Sequence, residues 1–308
     1  MRKFWLICVV FSITTLFSCM TINWKNPYPD METITYDDGN VYEFKNNKSD
    51  VLIIFIEGQS WLSVLGYKYK DTWHTLGFGY YIIQFLHEEY NIMIPEKFNR
   101  QIGKDYGGDP QSRKIYDLNN LVENYSTKIN DYLSNNYFSS IILVGHSEGA
   151  AVLPFVYETI TDRERIKGLV AFSYGGLSRY EQIKILADSE LKMPEFLRET
   201  WQNIDEYKQD INAHADSLAE LDGISYRWYN SFLDYKPYDH YINITIPVLF
   251  IHGEKDINVP VESTRYVQEN LPDKPFDYIY IDAAHVFPNR KTMIYIKEEG
   301  IKWLNKLL

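Results

Sequence analysis

Five mostly apolar residues, 140–144, run into Gly145-His146-Ser147-Glu148-Gly149, and small and apolar residues follow at once. The five-residue stretch fits Gly-x-Ser-x-Gly, in which a strained turn between a strand and a helix presents a serine hydroxyl at its tip. Side chains at the two glycine positions would collide with the neighbouring strand and helix. The pattern alone is moderately specific, because a tight turn can contain a serine with no chemical role; the strand–turn–helix setting raises it. A neutral hydroxyl is a weak nucleophile, so a reacting serine needs a base, and the base needs an orienting acid. The chain offers both: His252-Gly253-Glu254-Lys255-Asp256 follows one apolar run, and Asp282-Ala283-Ala284-His285 follows another. Such a set can attack a carbonyl carbon, passing the proton through the imidazole.

The elements that must hold these residues follow from apolar patterning. Residues 51–56 (ValLeuIleIlePheIle) form a continuous apolar run of strand length, as a strand covered on both faces requires. Residues 91–95, 140–144, 166–172, 246–251 and 276–281 read as further strands. Helices are expected at about 79–90, 118–135, 150–161, 261–270 and 293–307, the second from the spacing of Leu121, Val122, Tyr125, Ile129, Tyr132 and Leu133. Residues 33–44 alternate about Asp38-Gly39, a hairpin signal. Strands alternating with helices imply an α/β fold with a mostly parallel sheet wrapped by helices on both sides. Between about 174 and 241 the rhythm breaks into an aromatic-rich helical stretch containing Trp201, Trp228, Tyr229 and Phe232. It reads as an insertion over the carboxyl ends of the strands, and its aromatics suggest either an apolar substrate pocket or the insertion's own core.

Three motifs at the ends of strand units, in the order nucleophile, acid, histidine, resemble the α/β-hydrolase family over roughly residues 51–308. The resemblance implies the α/β-hydrolase fold with a helical cap. It also implies a Ser-His-Asp triad of Ser147, Asp256 and His285. Glu254 and Asp282 are rival acids, and only Asp256 stands where the family places this group. The family also implies two backbone donors for the oxyanion, one from the residue after the nucleophile, Glu148, and one from the loop after residue 56. That loop often begins His-Gly in the family; here it reads Glu57-Gly58-Gln59, which makes Gln59 the donor and alters the loop's local hydrogen bonding. The implied activity is hydrolysis of carboxylic esters, esterase or lipase-like, through an acyl-enzyme. An aminopeptidase or amidase on the same fold is the alternative, with Glu195, Glu199 or Asp205 of the insertion available to bind an amine. A binding lipoprotein that keeps the scaffold without the chemistry is another.

The 308 residues carry a net charge of −11, which disfavours nucleic acid as a partner. His74, His87, His214, His240 and His252 show no two-ligand helical spacing with an acid partner, so no metal and no cofactor is expected. Asp105-Tyr106-Gly107-Gly108-Asp109-Pro110 reads as a loop turn and not a phosphate cradle. At the N-terminus Arg2 and Lys3 precede an apolar run, 4–17, that is shorter than the roughly 20 residues needed to span a bilayer. It ends on Leu16-Phe17-Ser18-Cys19, which resembles the lipobox of bacterial lipoproteins and implies lipidation at Cys19. The expected organisation is a lipoprotein-type signal peptide at 1–18, a tether at 19–32, and a hydrolase domain at 33–308. The expected location is the bacterial cell envelope, lipid-anchored to a membrane, the outer membrane by the lack of a retention signal at Met20. The only cysteines are Cys8 and Cys19, so a chain processed before Cys19 forms no internal disulfide.

Overall fold

The computed structural model describes residues 21–308 apart from 23–27, 29, 38, 47, 61–62, 70–71, 75–76, 99–113, 222–223 and 288. The signal segment, Cys19, most of the tether, Asp38 and the 105–110 turn lie outside the described residues. An eight-stranded sheet organises the rest. Its strands are β1 (Glu32–Tyr36), β2 (Gly39–Phe44), β3 (Val51–Ile56), β4 (Asn91–Pro95), β5 (Ser140–His146), β6 (Ile166–Phe172), β7 (Val248–Gly253) and β8 (Phe276–Ile281). They lie in the order β8-β7-β6-β5-β3-β4-β2-β1. Only β1 and β2 are antiparallel additions; β4, β3, β5, β6, β7 and β8 run parallel.

Both faces of the central strands are covered, which is why β3, β4, β5 and β7 are buried along almost their whole length and do not alternate, whereas the outer strands β1 and β8 are partly exposed. Helices α1 (Gly77–Leu86) and α10 (Arg290–Leu307) pack one face through Phe78, Ile82, Ile83, Met293, Ile296, Trp303 and Leu304. On the other face lie α2 (Leu118–Asn135) and α3 (Glu148–Thr159), which bury Leu121, Tyr125, Ile129, Leu153 and Val156. Asp117 starts α2 by accepting the Asn120 N–H at 3.0 Å, and Asn289 starts α10 by accepting the Thr292 N–H at 2.7 Å.

Between β6 and β7 the chain forms five helices: α4 (Arg179–Asp188), α5 (Glu195–Gln202), α6 (Ile204–Ala213), α7 (Tyr226–Phe232) and α8 (Tyr238–Tyr241). A capping box of Ser178 and Glu181 opens α4. The insertion is fastened to α2 and α3: the Ser231 hydroxyl accepts the Leu118 N–H at 3.0 Å, and the Tyr235 hydroxyl donates to the Ala151 carbonyl at 3.1 Å. Trp201, Trp228, Tyr229 and Phe232 are buried in the core that α2 and α3 share. Of the two uses the sequence suggests for these aromatics, they serve as the insertion's own core. Helix α9 (Glu262–Asn270) lies between β7 and β8 in sequence.

The parallel register sets the rim. Ile56 pairs with Gly145, His146 with Phe172, and Gly253 with Ile281. The loops that begin at Glu57, Ser147, Ser173, Glu254 and Asp282 therefore leave the sheet along one edge.

Candidate active site

Ser147 stands between β5 and α3 with φ 55° and ψ −120°, a left-handed conformation that a residue with a side chain rarely adopts. Such a backbone costs about 1–3 kcal/mol and persists only where its surroundings enforce it. Close approach supplies the enforcement. A Cβ on Gly145 would meet the Gly149 carbonyl oxygen at 2.6 Å, and one on Gly149 would meet that of Ile56 at 2.1 Å, so both positions demand glycine. The Ser147 N–H donates to the Phe172 carbonyl at 2.9 Å, tying the turn to β6.

His285, four residues past the end of β8, brings its Nε2 to 2.8 Å from the Ser147 hydroxyl. Its Nδ1 lies 2.6 Å from Oδ2 of Asp256, three residues past β7. Two backbone bonds lace the supporting loops, Glu254 N–H to Ile281 O at 2.8 Å and Lys255 N–H to Ala283 O at 2.9 Å. The Ser173 hydroxyl donates to the His285 carbonyl at 2.8 Å, so the histidine's backbone is anchored too. Glu254 and Asp282 point elsewhere: Glu254 is exposed with Arg265 at 3.4 Å, and Asp282 is exposed with Lys255 at 2.5 Å. Of the three acids in these loops, Asp256 meets the imidazole.

Asp256 is 1% exposed. Its Oδ1 accepts the N–H groups of Asn258 at 2.8 Å and Val259 at 3.0 Å. Burial would raise its pKa, but His285 and His252 facing the carboxylate overcome that and hold it below the usual carboxylate range. His252 Nε2 is 3.5 Å from the carboxylate, a contact the histidine's sequence position does not announce. Burial also pushes the His285 imidazole down from its ordinary 6.5, and the Asp256 charge opposes the shift only in part. The imidazole is therefore more than half neutral, with a lone pair for a proton, at the pH where a solvated histidine is half charged.

Glu148 follows the serine as the first residue of α3, and its side chain is buried. The carboxylate pairs with Lys97 and accepts from the Tyr116 hydroxyl at 2.6 Å and the Trp228 indole N–H at 2.7 Å. Sequence reasoning missed Lys97, Tyr116 and Trp228; the only signal was a charged pair, Glu96-Lys97, directly after an apolar strand. Gly58 also lies against the serine: a Cβ there would come to 2.8 Å from the Ser147 Cβ. This brings the Gln59 loop beside the hydroxyl. Glu57, which stands where the resembled family often has histidine, accepts the Gly58 N–H at 2.8 Å and holds Nδ1 of His146 at 3.1 Å. Phe78 stacks on that His146 ring, 4.5 Å between centroids.

Residues 119–295, more than half of the 308-residue chain, match the family described as Serine hydrolase (FSH1). The chain belongs to that family. The matched segment of this serine hydrolase contains Ser147, Asp256 and His285. A 146-residue stretch, 46% of the hydrolase, is 25% identical to a Mycoplasma genitalium chain assigned as esterase/lipase 3 and spans about half, 53%, of that relative's length. Among solved structures, the esterase Pf2001 of Pyrococcus furiosus aligns with a TM-score of 0.56 at 19% identity, covering 94% of the hydrolase and 96% of the esterase. Est1E from Butyrivibrio proteoclasticus aligns at 0.57 and 18% identity, covering 90% and 98%. At such identities the likeness establishes the α/β-hydrolase fold.

Proposed function

We propose that this hydrolase cleaves carboxylic esters through an acyl-enzyme on Ser147. The observation that carries the reading is the unbroken hydrogen-bond path from the Ser147 hydroxyl through His285 to Asp256, at 2.8 and 2.6 Å. In the first half-reaction His285 Nε2 takes the hydroxyl proton as Ser147 Oγ bonds to the ester carbonyl carbon. The carbonyl oxygen gains the negative charge, which the Glu148 and Gln59 N–H groups receive. Asp256 holds Nδ1–H in place and stabilises the imidazolium, which then protonates the departing alcohol. Water repeats the sequence on the acyl-enzyme and releases the acid.

Ester in preference to amide chemistry is supported by the insertion's acids. Glu195 and Glu199 are exposed, and Asp205 is bound to Lys184 at 3.1 Å and to Tyr180 on the surface. All three are exposed at the surface, and none is a buried, unpaired carboxylate that could fix a substrate amine.

A fluorophosphonate probe tests the reading. It is expected to add once, with the adduct on the peptide that contains Ser147; an unlabelled protein, or a label elsewhere, overturns the proposal. The pH profile tests the base. His285 must be neutral to accept the proton, and burial lowers its pKa. The acid limb of kcat/KM for a short acyl ester is therefore expected below pH 6.5, the ordinary histidine value, with more than half-maximal rate at that pH. A limb centred above it would show that the group titrating is not this buried histidine.

A further inference from the structure

Lys97 takes no part in the steps above, yet its buried side chain reaches the carboxylate of Glu148 and the carbonyl that precedes the Gln59 N–H, the two residues whose N–H groups do. It leaves β4 on a loop with Glu96 and is 2% exposed. Its ammonium pairs with the Glu148 carboxylate and donates to the Gly58 carbonyl at 2.6 Å. The Tyr116 hydroxyl completes the group, 3.3 Å from the ammonium and 2.7 Å from the carboxylate.

The Gly58 contact has a directional consequence. No peptide bond in the described chain is cis, so the Gly58 C=O and the Gln59 N–H point in opposite directions. Holding the carbonyl on Lys97 turns the Gln59 N–H away from Lys97, on a peptide that lies against the serine. Among the described residues that N–H has no acceptor. A cation on the carbonyl oxygen also polarises the peptide and strengthens the N–H as a donor. The same ammonium reaches Glu148, whose backbone is the other donor. One buried charge thus ties both halves of the oxyanion site together.

We infer that Lys97 is a positioning residue of the oxyanion site, orienting and polarising the Gly58–Gln59 peptide toward the developing charge. The inference rests on the proposed acyl-enzyme reading. The plainer role is counter-ion to a buried carboxylate, since removing one partner of such a pair is costly to stability. The two roles make different predictions once the carboxylate is neutralised as well.

The test compares Glu148→Gln with Lys97→Met/Glu148→Gln, using kcat and KM for a short acyl ester and the affinity of a trifluoromethyl ketone, which forms a tetrahedral adduct on the serine. The Met pair leaves no buried charge in this cluster but lacks the bond to Gly58. Removing one oxyanion donor costs about a hundred- to a thousandfold, and a donor that is misdirected but present should cost less. The Met pair is therefore expected to show kcat lower than Glu148→Gln by about ten- to a hundredfold, ketone affinity lower by a similar factor, and KM within about twofold. Lys97→Gln/Glu148→Gln restores a neutral donor and is expected to recover part of the loss in both readouts. If the Met pair does not fold, the Gln pair decides alone, with kcat and ketone affinity expected several-fold below Glu148→Gln.

Equal kcat and ketone affinity in the paired and single variants overturns the inference and leaves Lys97 a counter-ion. A loss confined to KM overturns it as well. Native enzyme that hydrolyses no ester and takes no fluorophosphonate overturns the reading itself, and the inference with it; native activity with unchanged paired variants removes only the inference.

Discussion

Ser147→Ala is expected to lower kcat for a short acyl ester by about a millionfold while leaving the thermal transition within a few degrees of the native one. The size follows from what the hydroxyl does. Without Oγ there is no atom to form the acyl bond, and His285 is left holding a proton site with nothing to activate, so removing the nucleophile costs nearly as much as removing all three groups. A residual rate of about a thousand- to ten-thousandfold over water can survive through binding and the oxyanion donors. Stability changes little because the strained turn is imposed by Gly145 and Gly149 and by the Ser147 N–H bond to Phe172, none of which involve the hydroxyl. Alanine at φ 55° is about as strained as serine. The lost Ser147–His285 hydrogen bond is worth about 1 kcal/mol. Steady-state kinetics with a thermal melt on the same sample decides it. A variant that folds and retains kcat within tenfold of native would mean that Ser147 is not the nucleophile.

That the variant can be named from sequence reflects how local the signals are. Strands β3 and β6 match the apolar runs because a strand buried on both faces is apolar along nearly its whole length, and α2 matches its spacing because one stripe faces the core. The boundaries moved where backbone donors intervened. The apolar run at 246–251 implies a strand from Ile246, but β7 begins at Val248, past Pro247, which has no N–H to give a ladder. Helix α1 ends at Leu86 and not near Tyr90, because residues 87–90 close it as turns on Ile83 and Leu86. Ser147, Asp256 and His285 are visible because each stands just beyond an apolar strand, where a parallel sheet collects its functional loops.

The Glu148 cluster offered less: of the partners around that carboxylate only Lys97 stands just beyond an apolar strand. Lys97, Tyr116 and Trp228 come from the loop after β4, the approach to α2, and α7 of the insertion, and no spacing links them. The sequence leaves Trp228 either to a substrate pocket or to the insertion's own core. Its ring does stack on Phe232, 4.4 Å between centroids, but its N–H is committed to the carboxylate beside the nucleophile. A buried charge draws partners from wherever the fold supplies them, because an unpaired one costs several kcal/mol. Long-range pairing of this kind is set by the tertiary structure and leaves little trace in local pattern.

Asp256→Asn should give the second largest effect, a fall in kcat of about ten-thousandfold with the fold retained. The carboxylate meets three donors at once: the N–H groups of Asn258 and Val259 on Oδ1, and Nδ1–H of His285 on Oδ2. An amide has one oxygen and one NH₂. Its oxygen can stay on the two backbone donors only by turning NH₂ toward His285, where a second donor forces the proton from Nδ1 to Nε2. The imidazole then faces the serine with an N–H and cannot take its proton. Electrostatics act in the same direction, because the Asp256 charge is what raises the imidazole pKa against burial. With the charge gone the pKa falls further, so acidification brings no recovery of rate. Glu254→Gln and Asp282→Asn are the matched controls: both acids are exposed and paired with Arg265 and Lys255, and each variant is expected to keep kcat within about twofold. Measuring kcat from pH 5 to 9 for all three separates the roles. A loss under tenfold in Asp256→Asn, or a large loss in either control, would move the orienting acid away from Asp256.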